Sequence, residues 1–380
     1  MSKGLKAKDH SYQFHPLELG FVGYSGVGKT TLLTQIIARL KDDWKLAFVK
    51  HDAHRFEVDK EGKDSCRATK AGASSSFIAN AEHFAWMAQG SLPYFSQRSI
   101  FLDYDALLIE GHKALAIDKV VVLDSDYSVL NALPAESLAT VLAYVGEAQE
   151  AQKSLPLNRP YFQRDDIAGI AQWVEEHWQA KLNLRAMKGL VLAGGFSTRM
   201  GEDKGRLRYH NKPQAIQAFE TLEALGVSSY LSLRDGQWTA DERADYPIIE
   251  DQFKNLGPMG GILSAMNEDP QAAWLVIACD LPLLGKAPLE HLLQNRQAQK
   301  LATAYRSSSD NLPEPLCAIY EPHIRLRLFE ALGLGLSCPR KVLINSNTLL
   351  LEPYDDRALT NVNTAEEYRN IRSMIEENIL

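Results

Sequence analysis

Short apolar runs of strand length alternate with helix-like patterns along most of the 380-residue sequence. Strands that are separated by helical segments form parallel sheets with helices packed on both faces. A single hydrophobic core stops growing at about 250–300 residues, so two domains are expected. The sequence therefore predicts an α/β protein with two doubly wound, mostly parallel-sheet domains. The apolar runs are Leu19–Tyr24, Leu46–Lys50, Ala106–Glu110, Lys119–Leu123, Ala139–Val145, Gly189–Ala193, Ser229–Leu233, Pro247–Ile249, Trp274–Ala278, Ala302–Tyr305 and Leu316–Tyr320.

The boundary between the two predicted domains follows an amphipathic helical pattern at Asp166–Trp178. A short polar stretch at residues 179–186 comes next, and a new apolar strand begins just after Met187. Met187 in this setting resembles the start of a once separate protein. We therefore predict domains at residues 1–178 and 187–380, joined by a linker at residues 179–186.

Composition argues against several classes of binding partner, site and cellular location. The formal net charge is −7 at pH 7, whereas nucleic-acid and membrane surfaces bind basic faces. None of the four cysteines forms a C-x-x-C pair, so neither a disulfide framework nor a structural zinc site is indicated. The polar N-terminus has no apolar signal-peptide core, and no 18-residue apolar run is present. We expect a cytoplasmic protein, and the sequence leaves a homodimer open.

A glycine-rich loop follows the first apolar run and precedes a helical pattern at Thr30–Leu40. Its spacing is that of a P-loop, G-x-x-x-x-G-K-S/T, in which backbone N–H groups cradle phosphates. The lysine contributes positive charge at the β- and γ-phosphates, and the threonine hydroxyl is a magnesium ligand. The expected nucleotide contacts are Gly23, Gly26, Gly28, Lys29, Thr30 and Thr31, with Thr30 on the metal.

Glu110 ends a later strand in the segment Glu110-Gly111-His112-Lys113, where an acid can orient water or magnesium at the P-loop. Two further segments are Lys50-His51-Asp52-Ala53-His54 and Asp59–Ser65, followed by Arg67 and Ala71-Gly72-Ala73. The histidines of the first are either metal ligands or solvated loop side chains. In this order the segments resemble the molybdopterin-guanine dinucleotide biosynthesis adaptor, a small GTP-binding P-loop protein, over about residues 17–178. Glu61 stands where that family usually has proline.

The second half carries a different loop, Leu190–Lys204, which contains Gly194, Gly195 and Arg199 but no G-K-S/T. Its glycines bring backbone N–H groups close to phosphate oxygens, and Arg199 and Lys204 supply charge for a triphosphate. The spacing G-G-x-S-x-R-M-G-x-D-K, with Asn211-Lys212-Pro213 behind it, resembles the loop of molybdenum cofactor guanylyltransferase. Residues 187–380 resemble that family, including the closing Asn361–Glu367, where Ala365 replaces the family's proline.

Asp280 ends an apolar strand and is a suitable magnesium ligand from the residues alone, since hard cations take carboxylate oxygens. The resemblance implies catalytic roles for Arg199, Lys204 and Asp280, with Asp280 on the metal. A family asparagine is missing at Leu231-Ser232-Leu233-Arg234, and Arg340-Lys341 is either an acceptor contact or an ordinary surface pair. The residues that the resemblance assigns to GTP and magnesium are Leu192, Ala193, Gly194, Gly195, Lys204, Asp251 and Asp280.

Together the resemblances imply a bifunctional molybdenum cofactor biosynthesis protein. The second domain would transfer GMP from GTP to the phosphate of molybdopterin, with or without molybdenum, and the first would bind GTP as an adaptor with slow hydrolysis. The implied partners include a molybdenum-insertion protein and apo-molybdoenzymes. Three alternatives stay open: a cytidylyltransferase for the same pterin, a sugar-phosphate nucleotidyltransferase, and a GTP-dependent cofactor carrier whose second half is silent.

Overall fold

The computed structural model describes residues 12–51, 61–147, 155, 158–195, 203–209 and 211–377. These residues form two compact units. The first comprises the described residues up to Phe101 together with Ala106–Val174, and the second comprises Leu102–Asp105 and the described residues from Glu175 onward. Each unit has a large sheet of its own.

The first unit contains a six-stranded parallel sheet in the order β2-β5-β1-β6-β7-β8. Its central strands are buried along their whole length, as their continuous apolar runs require. A separate antiparallel hairpin, β3–β4, carries exposed apolar side chains. The strands are β1 Glu18–Val22, β2 Leu46–Lys50, β3 Ser75–Ala79, β4 Phe84–Ala88, β5 Ala106–Glu110, β6 Lys119–Val122, β7 Val141–Gly146 and β8 Tyr161–Gln163, and the helices are α1 Lys29–Leu40, α2 Asp64–Lys70, α3 Tyr94–Phe101 and α4 Ala135–Leu138. Helix α5, Ile167–Asn183, begins in this unit, and its residues from Glu175 onward belong to the second.

The second unit contains a seven-stranded mixed sheet in the order β11-β10-β9-β12-β14-β13-β15. Strand β14 runs antiparallel to both of its neighbours, and the other pairs are parallel. The strands are β9 Met187–Leu192, β10 Ser228–Leu233, β11 Ile248–Glu250, β12 Ala273–Ala278, β13 Ala302–Arg306, β14 Pro313–Tyr320 and β15 Thr348–Leu351, and the helices are α6 Gln214–Glu223, α7 Ala240–Arg243, α8 Pro258–Glu268, α9 Lys286–Gln294, α10 Ile324–Gly333, α11 Pro339–Ile344 and α12 Ala365–Glu376.

Two hydrophobic layers cover the faces of the second sheet. Trp274 and Val276 of β12 pack in one layer with side chains of α8, whereas Leu275 and Ile277 pack in the other with side chains of α6 and α9. Successive side chains of a strand point to opposite faces, so one buried strand contributes to both layers. The chain stays buried as far as Cys279, so Asp280 is the first partly exposed residue after this strand at the sheet edge.

The predicted α/β class is confirmed, and every predicted strand overlaps an observed one. The predicted mostly parallel second sheet contains one antiparallel strand, β14, because only residues 307–312 connect it to β13, and parallel neighbours need a longer crossover. Strands β3, β4, β8 and β15 were not predicted. Helix α5 continues to Asn183, so most of the predicted linker is helical, and the domain boundaries stay a prediction. No helix within the described ranges is long and apolar enough to cross a membrane.

Candidate functional site

The P-loop of the first unit connects β1 to α1 at the carboxyl edge of the sheet. Gly26 and Gly28 have φ angles of +77° and +88°, a left-handed conformation that favours glycine. A Cβ atom at Gly23 would lie 2.7 Å from the carbonyl oxygen of Val122. The loop therefore needs glycine for its backbone path as well as for close approach to a phosphate.

Lys29 lies inside the loop rather than in solvent. Its Nζ donates to the carbonyl oxygen of Tyr24 at 2.6 Å. Burial lowers the pKa of Lys29, and nearby Glu110 partly opposes that shift. The ammonium is thus held at the centre of the loop, where the sequence predicts the β- and γ-phosphates.

The acid expected at the end of β5 reaches the P-loop. Thr30 Oγ1 donates to Glu110 Oε2 at 2.7 Å, and Lys50 Nζ lies 3.8 Å from the other carboxylate oxygen. A hydroxyl and a carboxylate are oxygen donors of the kind that magnesium takes beside nucleotide phosphates. These two side chains could therefore hold the metal at this loop, while Thr31 is exposed on the first turn of α1.

Of the histidine segment, the structure describes Lys50 and His51. The rings of His51 and His112 are in contact, with centroids 4.2 Å apart and planes tilted by 39°. Burial, followed by the neighbouring His51, lowers the pKa of His112 to about 4. Asp52 and His54 lie outside the described residues, and the described residues contain no group of three or more His, Cys, Asp or Glu side chains that could hold a metal.

The second unit has a cavity of about 670 Å³ at the carboxyl ends of β9, β10 and β12. Open α/β sheets bind their ligands at this edge. The cavity brings together residues from sequence-distant segments, and it includes most of the predicted GTP contacts. Its lining includes Leu192, Ala193, Gly194, Gly195, Lys204, Ser232, Arg234, Asp251, Gly261, Asp280 and Asn363.

Asp280 and Lys204 meet inside this cavity. Lys204 Nζ donates to Asp280 Oδ2 at 3.0 Å and to Asn363 Oδ1 at 2.8 Å. The second carboxylate oxygen of Asp280 is buried and has no hydrogen-bond partner among the described residues. Magnesium is usually bound through one or two carboxylates together with substrate phosphates, so this oxygen fits a metal that arrives with a triphosphate.

Asp251 occupies the opposite side of the cavity. Its Oδ1 accepts a hydrogen bond of 2.9 Å from Ser232 Oγ, and a Cβ atom at Gly194 would lie 3.2 Å from its Oδ2. Burial raises the pKa of Asp251, while the Ser232 bond and Arg234 oppose the shift. Ser232 stands in the segment where the family asparagine is missing, and it supports this carboxylate.

Comparison with known proteins assigns each half of the chain to a family. The family model for molybdopterin guanine dinucleotide synthesis protein B matches residues 18–147, and the model for the MobA-like NTP transferase domain matches residues 189–348. The Escherichia coli molybdopterin-guanine dinucleotide biosynthesis adapter protein is 31% identical over 174 residues, covering 43% of this chain and 94% of the relative. A probable molybdenum cofactor guanylyltransferase from Opitutus terrae is 33% identical over 141 residues, covering 36% of this chain and 68% of the relative.

The chain belongs to the synthesis protein B family in its first half and to the MobA-like NTP transferases in its second. Both resemblances drawn from the sequence are thereby confirmed. A bifunctional molybdenum cofactor biosynthesis protein from a Synechocystis species is 34% identical over 194 residues, which cover 51% of this chain. The match spans 56% of that relative, little more than half its length.

In the transferase half, two residues that the sequence analysis did not assign hold the nucleotide loop. Gln237 Nε2 donates to the carbonyl oxygen of Ala193 and to Asp203 Oδ2, each at 2.8 Å. Asn363 contacts Lys204, as described above. Asn363 belongs to the closing motif already noted in the sequence, whereas no pattern marked Gln237.

Two further side chains lie in or near this region. Cys279 belongs to the cavity lining but is largely buried, and burial raises the pKa of its thiol well above its usual range. Arg340 pairs with Asp310 at 3.0 Å and Glu314 at 2.9 Å, which favours the surface-pair alternative. Arg199 lies outside the described residues, and its catalytic role stays a prediction.

Proposed function

We propose that the second unit transfers GMP from GTP to the phosphate of molybdopterin, forming molybdopterin guanine dinucleotide and releasing pyrophosphate. The observation that carries the proposal is the divided environment of Asp280. Asp280 belongs to the cavity lining; one of its carboxylate oxygens accepts from Lys204, while the other is buried without a partner among the described residues. A site built for magnesium and phosphate has this character, and several relatives of this half bear the name molybdenum cofactor guanylyltransferase.

The chemistry needs no general base. A phosphate monoester has a second pKa near ~6, so the acceptor is largely dianionic at neutral pH. One of its oxygens attacks the α-phosphorus of GTP and forms a new P–O bond. The bond from that phosphorus to the bridging oxygen breaks, and pyrophosphate leaves with the electron pair. Catalysis then rests on positioning and on stabilising charge in a preorganised site.

Each residue of the cavity has a place in this scheme. Asp280 Oδ1 would hold magnesium, which when bound neutralises charge across the triphosphate. Lys204 offsets charge on the phosphates, and Asn363 keeps its ammonium aimed at the cavity. Gly194 and Gly195 present backbone beside the phosphates, and Asp251 with Ser232 faces the nucleoside side. Arg199 adds a second cation in this proposal.

The first unit binds GTP as an adaptor in the same proposal. Gly23, Gly26, Gly28 and Lys29 hold the phosphates, while Thr30 and Glu110 hold magnesium. We also propose that this unit hydrolyses GTP slowly. The proposed protein partners are a molybdenum-insertion protein, apo-molybdoenzymes and a second copy of this chain in a homodimer.

The decisive experiment incubates the full chain with molybdopterin, magnesium and each of the four NTPs, and records pyrophosphate release and product mass. Of the four NTPs, we expect only GTP to give efficient transfer, and we expect transfer to be lost when EDTA removes the magnesium. Equal incorporation from CTP would support a cytidylyltransferase instead. Transfer to a sugar phosphate but not to molybdopterin would identify a sugar-phosphate enzyme, and binding of GTP without any transfer would support a carrier.

A further inference from the structure

Arg164, which directly follows β8, crosses the carboxyl edge of the first sheet toward the P-loop. Its backbone N–H donates to the carbonyl oxygen of Gly146 at 2.9 Å. Its Nη2 donates to the carbonyl oxygen of Leu123, just beyond β6, at 3.0 Å. Its Nη1 lies 3.7 Å from the position of a Cβ atom at Gly28. The guanidinium therefore lies at the ends of β6 and β7, beside Gly28, which directly precedes helix α1.

The direction of a bound nucleotide follows from the two sides of this loop. Thr30 and Glu110 form the metal side, and Glu110 belongs to β5, which flanks β1 on one side. Magnesium in P-loop sites bridges the β- and γ-phosphates, so the γ-phosphate faces β5. The nucleoside then extends the other way, toward β6 and β7, where Arg164 lies.

The present partner of Arg164 is easily exchanged. Its Nη1 lies 3.0 Å from Glu147 Oε1, and the Glu147 side chain is 76% exposed. Ion pairs of this kind contribute little stability, because water and salt screen them. A ligand in the loop can therefore take over Nη1 at small cost, while Leu123 keeps Nη2 in place.

We propose that Arg164 reads the base of the nucleotide in the P-loop site and selects guanine over adenine. Guanine offers two adjacent acceptors, O6 and N7, which match the planar fork of arginine. Adenine replaces the first acceptor by an amino donor, which a guanidinium cannot bind. The proposal deepens the GTP-binding role proposed for the first unit and rests on it.

The test measures each site separately in the full chain, because the second unit is also expected to bind GTP. Hydrogen exchange of the amides in residues 23–33, followed by mass spectrometry, reports occupancy of the P-loop alone. The titrants are GTP, ATP and inorganic triphosphate, each with magnesium. In Arg164→Ala, the affinity for GTP is expected to fall at least about tenfold, to the level of the affinity for ATP. The affinity for inorganic triphosphate should stay within about twofold of wild type.

Four further variants sharpen the outcome. Arg164→Lys keeps the charge but not the fork, so it should lose the same preference for GTP even if the alanine variant folds poorly. Glu147→Gln should bind GTP at least as tightly as wild type. Lys29→Ala should weaken the binding of all three titrants. Arg39→Ala, at the far end of α1, should leave the binding of all three unchanged.

Three results would overturn the assignment of Arg164. The first is an equal loss of GTP and inorganic triphosphate binding in Arg164→Ala, since the side chain would then act on phosphate. The second is unchanged GTP binding in both Arg164 variants, and the third is a matching loss of GTP binding in Glu147→Gln. Failure of all three titrants to protect the wild-type loop would refute the proposed GTP site itself, and with it this inference.

Discussion

Gly195 and Gly261 line the same cavity, yet a methyl group would meet nothing within 4 Å at the first and Ser232 Oγ at 2.5 Å at the second. At Gly261 it would also lie 2.6 Å from Leu192 Cδ2. The two positions separate two reasons for glycine in a site. Gly261 lets helix α8 approach the sheet, whereas the protein itself gives no steric reason for glycine at Gly195.

Alanine should therefore affect substrate binding at Gly195 and stability at Gly261. Gly195→Ala should keep the wild-type unfolding temperature but raise KM for GTP by about tenfold or more, if the loop backbone touches phosphate. Gly261→Ala should lower the free energy of unfolding by about 1–3 kcal/mol through overpacking. Thermal unfolding and steady-state kinetics measure both. Wild-type KM in a well-folded Gly195→Ala variant would remove this loop from the phosphate site.

Replacing Asp280 tests the proposed metal position. Asp280→Ala should lower the single-turnover rate of guanylyl transfer about 10³-fold or more, because it removes the carboxylate expected to hold magnesium. The fold should persist, since one Asp280 oxygen already lacks a partner among the described residues. Asp245→Ala, at an exposed acid outside the cavity lining, is the matched control. A loss of less than tenfold would place the metal elsewhere.

Lys29→Ala tests the division of labour between the two nucleotide sites. The variant removes the ammonium from the P-loop, so nucleotide binding there should weaken strongly. Guanylyl transfer by the purified full chain should stay within about twofold of wild type, because the proposed chemistry lies in the second unit. Transfer and P-loop occupancy are measured side by side. A comparable fall in transfer would show that the P-loop takes part in the reaction.

Glu321 should be a strong determinant of stability in the second unit. Its side chain is fully buried and accepts from Arg296 at 2.6 Å and Arg185 at 3.2 Å. Glu321→Gln removes the buried negative charge that both guanidinium groups contact, at an expected cost of about 3–5 kcal/mol in urea unfolding. Glu352→Gln breaks an exposed ion pair with Arg306 and should cost less than about 1 kcal/mol. Equal costs would contradict the buried-pair argument.

Lys119 should make stability depend on pH in the alkaline range. Burial lowers its pKa to about 8, and its Nζ donates to the carbonyl oxygens of Lys113 and Leu115. Between pH 8 and the ordinary lysine pKa of about 10.5 the unfolded chain binds more protons, so this contribution grows as pH rises and is lost as pH falls toward 8.

The measurement for Lys119 is a difference between two proteins. The free energy of unfolding of wild type minus that of Lys119→Met should increase by up to about 3 kcal/mol from pH 8 to 10.5. Taking the difference cancels the titration of tyrosines and cysteines that both proteins share. A flat difference over this range would show that Lys119 titrates normally.

Much of the fold and the site could be predicted because short motifs encode them. The P-loop spacing and the strand ending in Glu110 sufficed to predict that the acid would lie at the P-loop, where it accepts from Thr30, 80 residues earlier. Asp280 and Lys204 were each assigned from their own segments, and parallel topology brings both to the same sheet edge. In these cases a local sequence pattern predicts a contact between residues distant in the chain, because the ends of parallel strands meet at the same sheet edge.

Other features depend on packing that no local pattern records. Arg164 follows a strand of three residues, too short to show periodicity. The contact of Asn363 with Lys204 joins residues 159 positions apart. Hairpin β3–β4 exposes apolar side chains such as Phe77 and Phe84, so it lacks the alternation of a half-buried strand. Strand β15 is an edge strand whose position depends on pairing with β13.

The hydrogen bond between Lys204 and Asp280 also bears on the order in which ligands add. The +1 charge of the Lys204 ammonium offsets the −1 charge of this carboxylate, so we expect the site without nucleotide to attract a lone divalent cation only weakly. A triphosphate bound as proposed would attract the same ammonium and leave the carboxylate to a metal. We therefore expect metal and nucleotide to bind as one complex, with free metal a weak ligand of the enzyme.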